Sequence, residues 1–181
     1  MVLAIVGMPG SGKSEVASLL KEKNFPIIRF GDETDRGLQE QGLPPTEENE
    51  RIYRENLRQT YGMEIYAVKA LPKIHDALTK NNAVVLDGLY SWEEYRYLQK
   101  QFPQLEVIAI VAKPQVRYKR LSGRSHRPLS EAEGRQRDID EIEKLNKGGP
   151  IAIADYIIEN NGTTGELKEK IEALLQQLHI S

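Results

Sequence analysis

An α/β fold, with helices on both faces of a parallel sheet, is what three observations predict. Five short apolar runs alternate with helical stretches along the chain. The runs are almost unbroken in Val, Ile, Leu and Ala rather than alternating with polar residues, as strands are when both sheet faces are covered. No internal repeat, low-complexity tract or flexible linker divides the 181 residues, so residues 1–181 are expected to form a single domain, long enough for a core without disulfides or structural metal.

The elements follow in order. Val2 to Val6 is the first strand and runs into a glycine-rich turn and an amphipathic helix. Ile27 to Phe30 is the second. Residues 33–82 then form a long, mostly helical insertion, interrupted at Pro44, Pro45 and Pro72 because proline lacks the amide donor of a helix. Ala83 to Leu86 is the third strand, and Ser91 with Glu94 opens the next helix as a hydroxyl and carboxylate three residues apart. Leu105 to Ala112 is the fourth. Residues 124–147 read as a short basic loop and a charged helix that starts at Ser130 with Glu133. After a fifth strand, Tyr156 to Ile158, the last helix opens at Thr163 with Glu166. Its Leu167, Ile171, Leu174, Leu175 and Leu178 fall on one stripe that packs on the sheet.

Composition narrows the function. Hydrophobic residues make up 39% and charged residues 29%, the balance of a folded soluble chain. A formal net charge of −2 argues against a protein held on nucleic acid by bulk electrostatics, so any anion site has to be local. The absence of cysteine excludes disulfides, thiolate catalysis and sulfur-ligated zinc. No apolar run approaches the ~20 residues of a membrane span, and Met1 leads directly into the first strand; a cytoplasmic, unprocessed chain with no membrane partner is expected.

The strongest motif is Gly7-Met-Pro-Gly-Ser-Gly-Lys13-Ser14, which fits G-x-x-x-x-G-K-[ST] between a strand and a helix. Glycines let such a loop fold back so that its backbone N–H groups point at phosphate oxygens, aided by the positive end of the helix. Gly7, Pro9, Gly10, Ser11, Gly12, Lys13, Ser14 and Glu15 are the expected nucleotide cradle, with Lys13 on the β and γ phosphates and Ser14 on Mg²⁺. An ordinary glycine turn is the other reading; the flanking strand and helix favour the cradle. Val84-Val-Leu-Asp87 ends a strand in a carboxylate, as a Walker B aspartate does, and Asp87 would orient Mg²⁺ or its water shell. Asp-Gly is also a common turn, and the nearby phosphate loop favours the metal role.

These residues resemble P-loop kinases of the nucleoside monophosphate kinase type, including adenylate kinase and dephospho-CoA kinase, over essentially the whole chain. The likeness extends in particular to a dephospho-CoA-kinase-like, nucleotide-kinase-related family of archaea and bacteria that has similar Gly-Leu-Tyr-Ser-Trp-Glu-Glu (Gly88 to Glu94) and Leu-Asn-Lys-Gly-Gly-Pro (Leu145 to Pro150) segments. The resemblance implies a P-loop NTPase of three layers, αβα, with a five-stranded parallel sheet in the order 2-3-1-4-5. It also implies an acceptor-binding helical insertion (33–82), a lid (124–147), and Mg²⁺-dependent transfer from ATP to a small nucleotide-like acceptor of the nucleoside monophosphate or dephospho-CoA type.

Arg120-Leu-Ser-Gly-Arg124 is similar to the arginine pair that opens the lid of adenylate kinases. That likeness implies that Arg120 stacks on adenine and Arg124 meets phosphates, tasks a planar cation suits. His126, Arg127, Arg135 and Arg137 add charge; a solvated basic helix is the alternative. Ala154 to Gly162 looks like the last strand and loop of dephospho-CoA kinases, which implies that Asn161 and Gly162 border the base, although Asn-Gly is equally a common turn.

The acceptor side departs from the pattern. Arg36 follows Asp32 by four residues rather than three, and Asp87-Gly88-Leu-Tyr-Ser91 lacks the arginine that adenylate kinases carry there. A simple adenylate kinase is therefore a poor fit. The dephospho-CoA kinase resemblance implies that Asp32 is the base for the attacking hydroxyl, whereas Asp32, Glu33 and Asp35 together equally suit a helix cap. Asp32, Arg36, Arg54, Arg58, Asp87 and Gly88 form the expected acceptor set, and Lys13, Asp32, Arg124 and Arg127 the catalytic one. Arg51, Arg54 and Arg58 lie on one helix face, where exposed salt bridging is the ordinary alternative. A nucleotide-dependent hydrolase or switch is the second function, and a nucleic-acid binder using Arg117 to Arg137 the third; the latter lacks an aromatic stacking series. A monomer or a homodimer is expected.

Overall fold

The computed structural model describes residues 1–125 and 128–180. Its sheet comprises β1 (Val2–Val6), β2 (Ile27–Arg29), β3 (Val84–Asp87), β4 (Leu105–Val111) and β5 (Tyr156–Glu159), all parallel in the order β2-β3-β1-β4-β5. This is the order the resemblance implied. Register pairs Ile5 of β1 with Asp87 of β3 and with Ile108 of β4, so the start of the glycine loop and the Asp87 carboxylate leave the same end of the sheet side by side. The strand order reverses about β1, the switch point where open α/β sheets bind ligands.

Strand alternation divides the core into two layers. Leu3, Ile5, Val85, Ile108 and Ile110 face α1 (Lys13–Glu22) and α9 (Thr164–Gln177), whose Val16, Leu20, Leu167 and Ile171 are buried against them. Val2, Ala4, Val6, Val84, Leu86 and Val107 face the other way, onto α4 (Ile65–Lys80) and α5 (Trp92–Gln101) through Tyr66, Ala70, Ile74, Tyr95 and Leu98. All three anticipated capping boxes form: Ser91 with Glu94, Ser130 with Glu133 and Thr163 with Glu166 each exchange side chain and backbone bonds reciprocally.

The insertion consists of α2 (Asp32–Glu40), α3 (Glu47–Tyr61) and α4. Pro44 and Pro45 do separate helices. Pro72 does not: it lies inside α4, correcting the expected interruption. The helix loses one backbone bond there, and the burial of Ile65, Tyr66, Ala67, Ala70 and Ile74 along its core face holds it together. Between β4 and β5 lie α6 (Pro114–Ser122), α7 (Glu131–Glu143) and the short α8 (Gly148–Ala152). Among the described residues, no helix is long and apolar enough to cross a membrane.

Candidate active site

The glycine loop between β1 and α1 is held by backbone conformations that only glycine adopts without strain. Gly7, Gly10 and Gly12 have φ of +148°, +76° and +104°. A Cβ on Gly10 would stand 2.7 Å from the carbonyl oxygen of Arg117, while one on Gly7 would meet the Ile110 carbonyl and one on Gly12 the Asn160 amide. Gly10→Ala combines a left-handed backbone with a backbone clash, so we expect a loss of about 1–3 kcal/mol, read as a lowered denaturation midpoint. Neighbouring elements tether the loop: Asn160 Nδ2 donates to Ser11 O at 2.8 Å and Arg117 Nη1 to Pro9 O at 3.1 Å.

Among the described residues, this end of α1 has no side-chain cap. Gly12 stands at the N-cap without a side-chain bond, leaving first-turn amides for an anion. Lys13 bends back over the loop, its ammonium donating to Gly7 O at 2.7 Å and Met8 O at 3.0 Å. Burial lowers its pKa to about 7, helped by the Lys147 ammonium and opposed by Glu141 and Asp87. Ser11 Oγ is buried without a partner, while Ser14 and Glu15 sit on the first turn of α1 with exposed side chains.

At the same end of the sheet, burial pushes the Asp87 carboxyl up, Lys13 and Arg29 pull it down, and Asp32 pushes it up again. Asp32 is thus near enough for its charge to act on Asp87. Arg29 Nη1 holds Asp32 at 3.0 Å and Asp35 at 2.7 Å. Gly88 turns the chain with φ +100° beside Phe30 and Tyr90. Arg36 is exposed and paired with Glu33 at 2.5 Å and Glu40 at 3.7 Å, and the buried Glu33 also holds Lys73 at 2.6 Å.

The α3 arginines do not form one open surface. Their side chains descend from solvent to interior, 54% exposed at Arg51, 27% at Arg54 and 6% at Arg58. Arg51 pairs with Glu55, and Arg54 with Glu50 at 3.1 Å and Glu47 at 3.5 Å. Arg58 is not an exposed salt-bridging residue: it pairs with buried Glu94 at 3.4 Å and lies 4.8 Å from the Tyr66 ring centroid.

Arg120 donates to Asn160 O at 2.9 Å and Gly162 O at 3.0 Å, tying α6 to the loop after β5. Asn161 Oδ1 accepts from Lys113 N at 2.8 Å and its amide donates to Glu159. Arg124 is largely exposed, and partial desolvation together with the Arg137 charge lowers its guanidinium pKa. The expected roles of Arg127 and His126 lie outside the described residues.

Three side chains close to the phosphate loop were not among the expected site residues. Asn160 is one. Arg117 is buried and forks onto Asp138 at 2.8 and 2.6 Å besides bonding Pro9. Lys147 is buried against Glu141. A faint signal existed, because Asp138 and Glu141 stand three apart on one face of α7.

Among the described residues, no cluster of three or more His, Cys, Asp or Glu is placed to hold a metal ion. Mg²⁺ in phosphoryl transfer uses one or two protein oxygens with phosphates and water, so Ser14 and Asp87 are the kind of donors it takes. The loop conformation, the uncapped helix, the ammonium arched over two carbonyls and the unpartnered Ser11 hydroxyl fit a polyphosphate.

Comparison with known proteins accords with this geometry. The profile described as an AAA domain matches residues 3–146. A UPF0200 protein of Thermococcus sibiricus is 35% identical over 184 residues, covering 99% of this chain and 96% of its own. Among solved structures, a shikimate kinase from Bacteroides thetaiotaomicron superposes with a TM-score of 0.63 at 14% identity, covering 99% of each chain. A gluconokinase from Sinorhizobium meliloti does so with a TM-score of 0.52 at 16% identity, covering 98% of this chain and 95% of its own. The two solved structures establish the fold alone; profile and curated relative together establish kinship, and the chain belongs to the UPF0200 family.

Proposed function

We propose that the protein transfers the γ-phosphoryl group of ATP to a small, nucleotide-like acceptor. The observation that carries this reading is the uncapped, glycine-turned loop with Lys13 arched over it, beside the Asp87 carboxylate at the switch point of the sheet. Such transfer needs positioning and charge stabilisation more than an activated nucleophile, which agrees with a site rich in cations and backbone donors. In this reading Lys13 and the α1 amides hold the β and γ phosphates. Ser14 and Asp87 would hold Mg²⁺, which when bound neutralises phosphate charge. Arg124, with Arg127 beyond the described residues, closes over the transferring group, and Arg120, Asn161 and Gly162 border the base.

Asp32, oriented by Arg29, accepts the proton of the acceptor hydroxyl. Arg36, Arg54 and Gly88 line the acceptor side, and Arg58, spent on Glu94, shapes that wall from behind. Asp32→Asn is expected to slow turnover by about 10²–10⁴-fold while leaving MgATP affinity within a factor of about two, as steady-state kinetics and equilibrium titration will read.

The direct test is a phosphorus NMR screen of ATP and Mg²⁺ against nucleoside monophosphates, dephospho-CoA and small hydroxylated acids. The last class is included because the structural neighbours are named for shikimate and gluconate. A new phosphorylated product supports the proposal and names the acceptor. Brisk ATP hydrolysis unaffected by every acceptor would replace it with a hydrolase or switch.

A further inference from the structure

Lysine is among the residues least often fully buried, yet Lys147 is 1% exposed, among the largest fully buried side chains of the protein. Its ammonium donates to the buried Glu141 carboxylate, to which Arg137 Nε also donates at 3.2 Å. A buried ion pair is a weak stabiliser, because desolvating two ions offsets most of their attraction and well-packed apolar residues serve as well. Stability alone therefore gives little reason for this arrangement.

Its position gives a better one. The ammonium lies 4.7 Å from the centroid of the Tyr90 ring, three residues beyond Asp87 on the loop leaving β3. Among neighbouring charges, Lys147 acts on Lys13 more strongly than any other, and the charges of Glu141, Asp87 and Arg137 also reach Lys13. Lys147, Arg137, Glu141 and Asp87 are thus all near enough for their charges to act on Lys13 at the phosphate loop. Basic groups gathered at the end of a helix dipole, with Lys13 ready to take up a proton, form a site for an anion richer in charge than one carboxylate. Glu141 is well suited to stand in for such an anion: it presents two oxygens to two cations.

We propose that Lys147 is a second phosphate-contacting lysine, which leaves Glu141 for an oxygen of the terminal phosphate when nucleotide enters, with Glu141 as placeholder. The inference rests on the ATP reading above and goes beyond it by giving a residue outside the loop motif and the arginine pair a place on the transferring group. Both ammonium groups then flank the polyphosphate. Arg137 keeps Glu141 neutralised after Lys147 leaves.

Calorimetric titration with MgATP and MgADP tests this on four proteins: the parent, Lys13→Ala, Glu141→Gln, and the double variant Lys147→Met with Glu141→Gln. The double variant leaves no unpaired buried charge at the pair and is expected to melt at or above the parent temperature. It should lose about 10- to 100-fold in MgATP affinity, the worth of a hydrogen bond between charged groups, and less for MgADP. Glu141→Gln, with the placeholder neutralised, should bind MgATP more tightly than the parent. A double variant that folds and binds MgATP as the parent does overturns the role of Lys147. Failure of the parent itself to bind MgATP overturns the ATP reading instead, and loss of binding in Lys13→Ala with retention in the double variant isolates the failure to this inference.

Discussion

Replacing Lys13 with methionine removes tight MgATP binding and at the same time raises the melting temperature. The two effects share a cause. In the folded protein the Lys13 ammonium is desolvated and faces Lys147, so its pKa falls from 10.5 to about 7. Across the window from about pH 7 to 10.5 the unfolded chain holds a proton that the folded chain has lost. Stability therefore rises with pH across that window, and the penalty of charging Lys13 is fully present below about pH 7. Methionine carries no such penalty. At pH 6 the variant is expected to melt about 2–4 °C higher, the shift that ~1 kcal/mol produces in a chain of this length. The gain should shrink towards pH 10.5, and thermal melts at three pH values read it directly. Turnover, by contrast, should fall by ~10³ or more, as when a cation on a transferring phosphoryl group is removed. A variant less stable than the parent at pH 6 would mean that the ammonium is solvated or better paired than its two carbonyl bonds imply.

The opposite sign is expected at Arg117. Its guanidinium forks onto Asp138, and Tyr118 Oη donates to the same carboxylate at 2.8 Å. The pair is buried, with side chains 6% and 11% exposed. Arg117→Ala leaves the Asp138 carboxylate in the interior without its counter-ion, which costs about 3–5 kcal/mol and should lower the melting temperature by roughly 6–20 °C. Arg51→Ala, which breaks an exposed pair with Glu55, should change stability by less than about 0.5 kcal/mol. Neutralising both partners, Arg117→Met with Asp138→Leu, should restore most of the lost stability because no ion is left unpaired. Nucleotide affinity should stay weakened even then, because Pro9 O has lost its donor and the loop its tie to α6. Denaturant melts and MgATP titration on the same preparations separate these two consequences.

The sheet was legible because a parallel strand buried on both faces has a composition of its own, as β1 shows with every residue buried. The edge strand obeys that rule less well. Ile157 of β5 is 64% exposed, since only one side of β5 carries a strand neighbour and α9 covers one face of it. The phosphate loop was legible because its chemistry demands glycine at positions of positive φ next to a lysine, a demand met within eight consecutive residues. Capping boxes are equally local.

The remainder of the site depends on partners far along the chain. Arg117 meets a carboxylate 21 residues away and Arg58 one 36 residues away, and no periodicity within one helix tells a buried ion from a solvated one. In sequence the stretch around Arg137 and Glu141 reads as a charged helix, with nothing to mark which charges are buried, whereas α7 turns Asp138 and Glu141 inward onto Arg117 and Lys147. Pro72 escaped for a related reason: the apolar face that sustains α4 through the proline is a tertiary fact.

One titration addresses the central claim, that the amino-terminal loop cradles a polyphosphate with Lys13 over it. MgATP is added to the parent protein at pH 8 in two buffers of different ionisation enthalpy. Lys13, largely neutral there before binding, must regain its proton beside the phosphates, so the account predicts one nucleotide per chain and proton uptake approaching one per nucleotide bound, both lost in Lys13→Met. Binding without proton uptake would contradict the desolvated, neutral Lys13, and no binding of any purine triphosphate by folded protein would contradict the cradle itself.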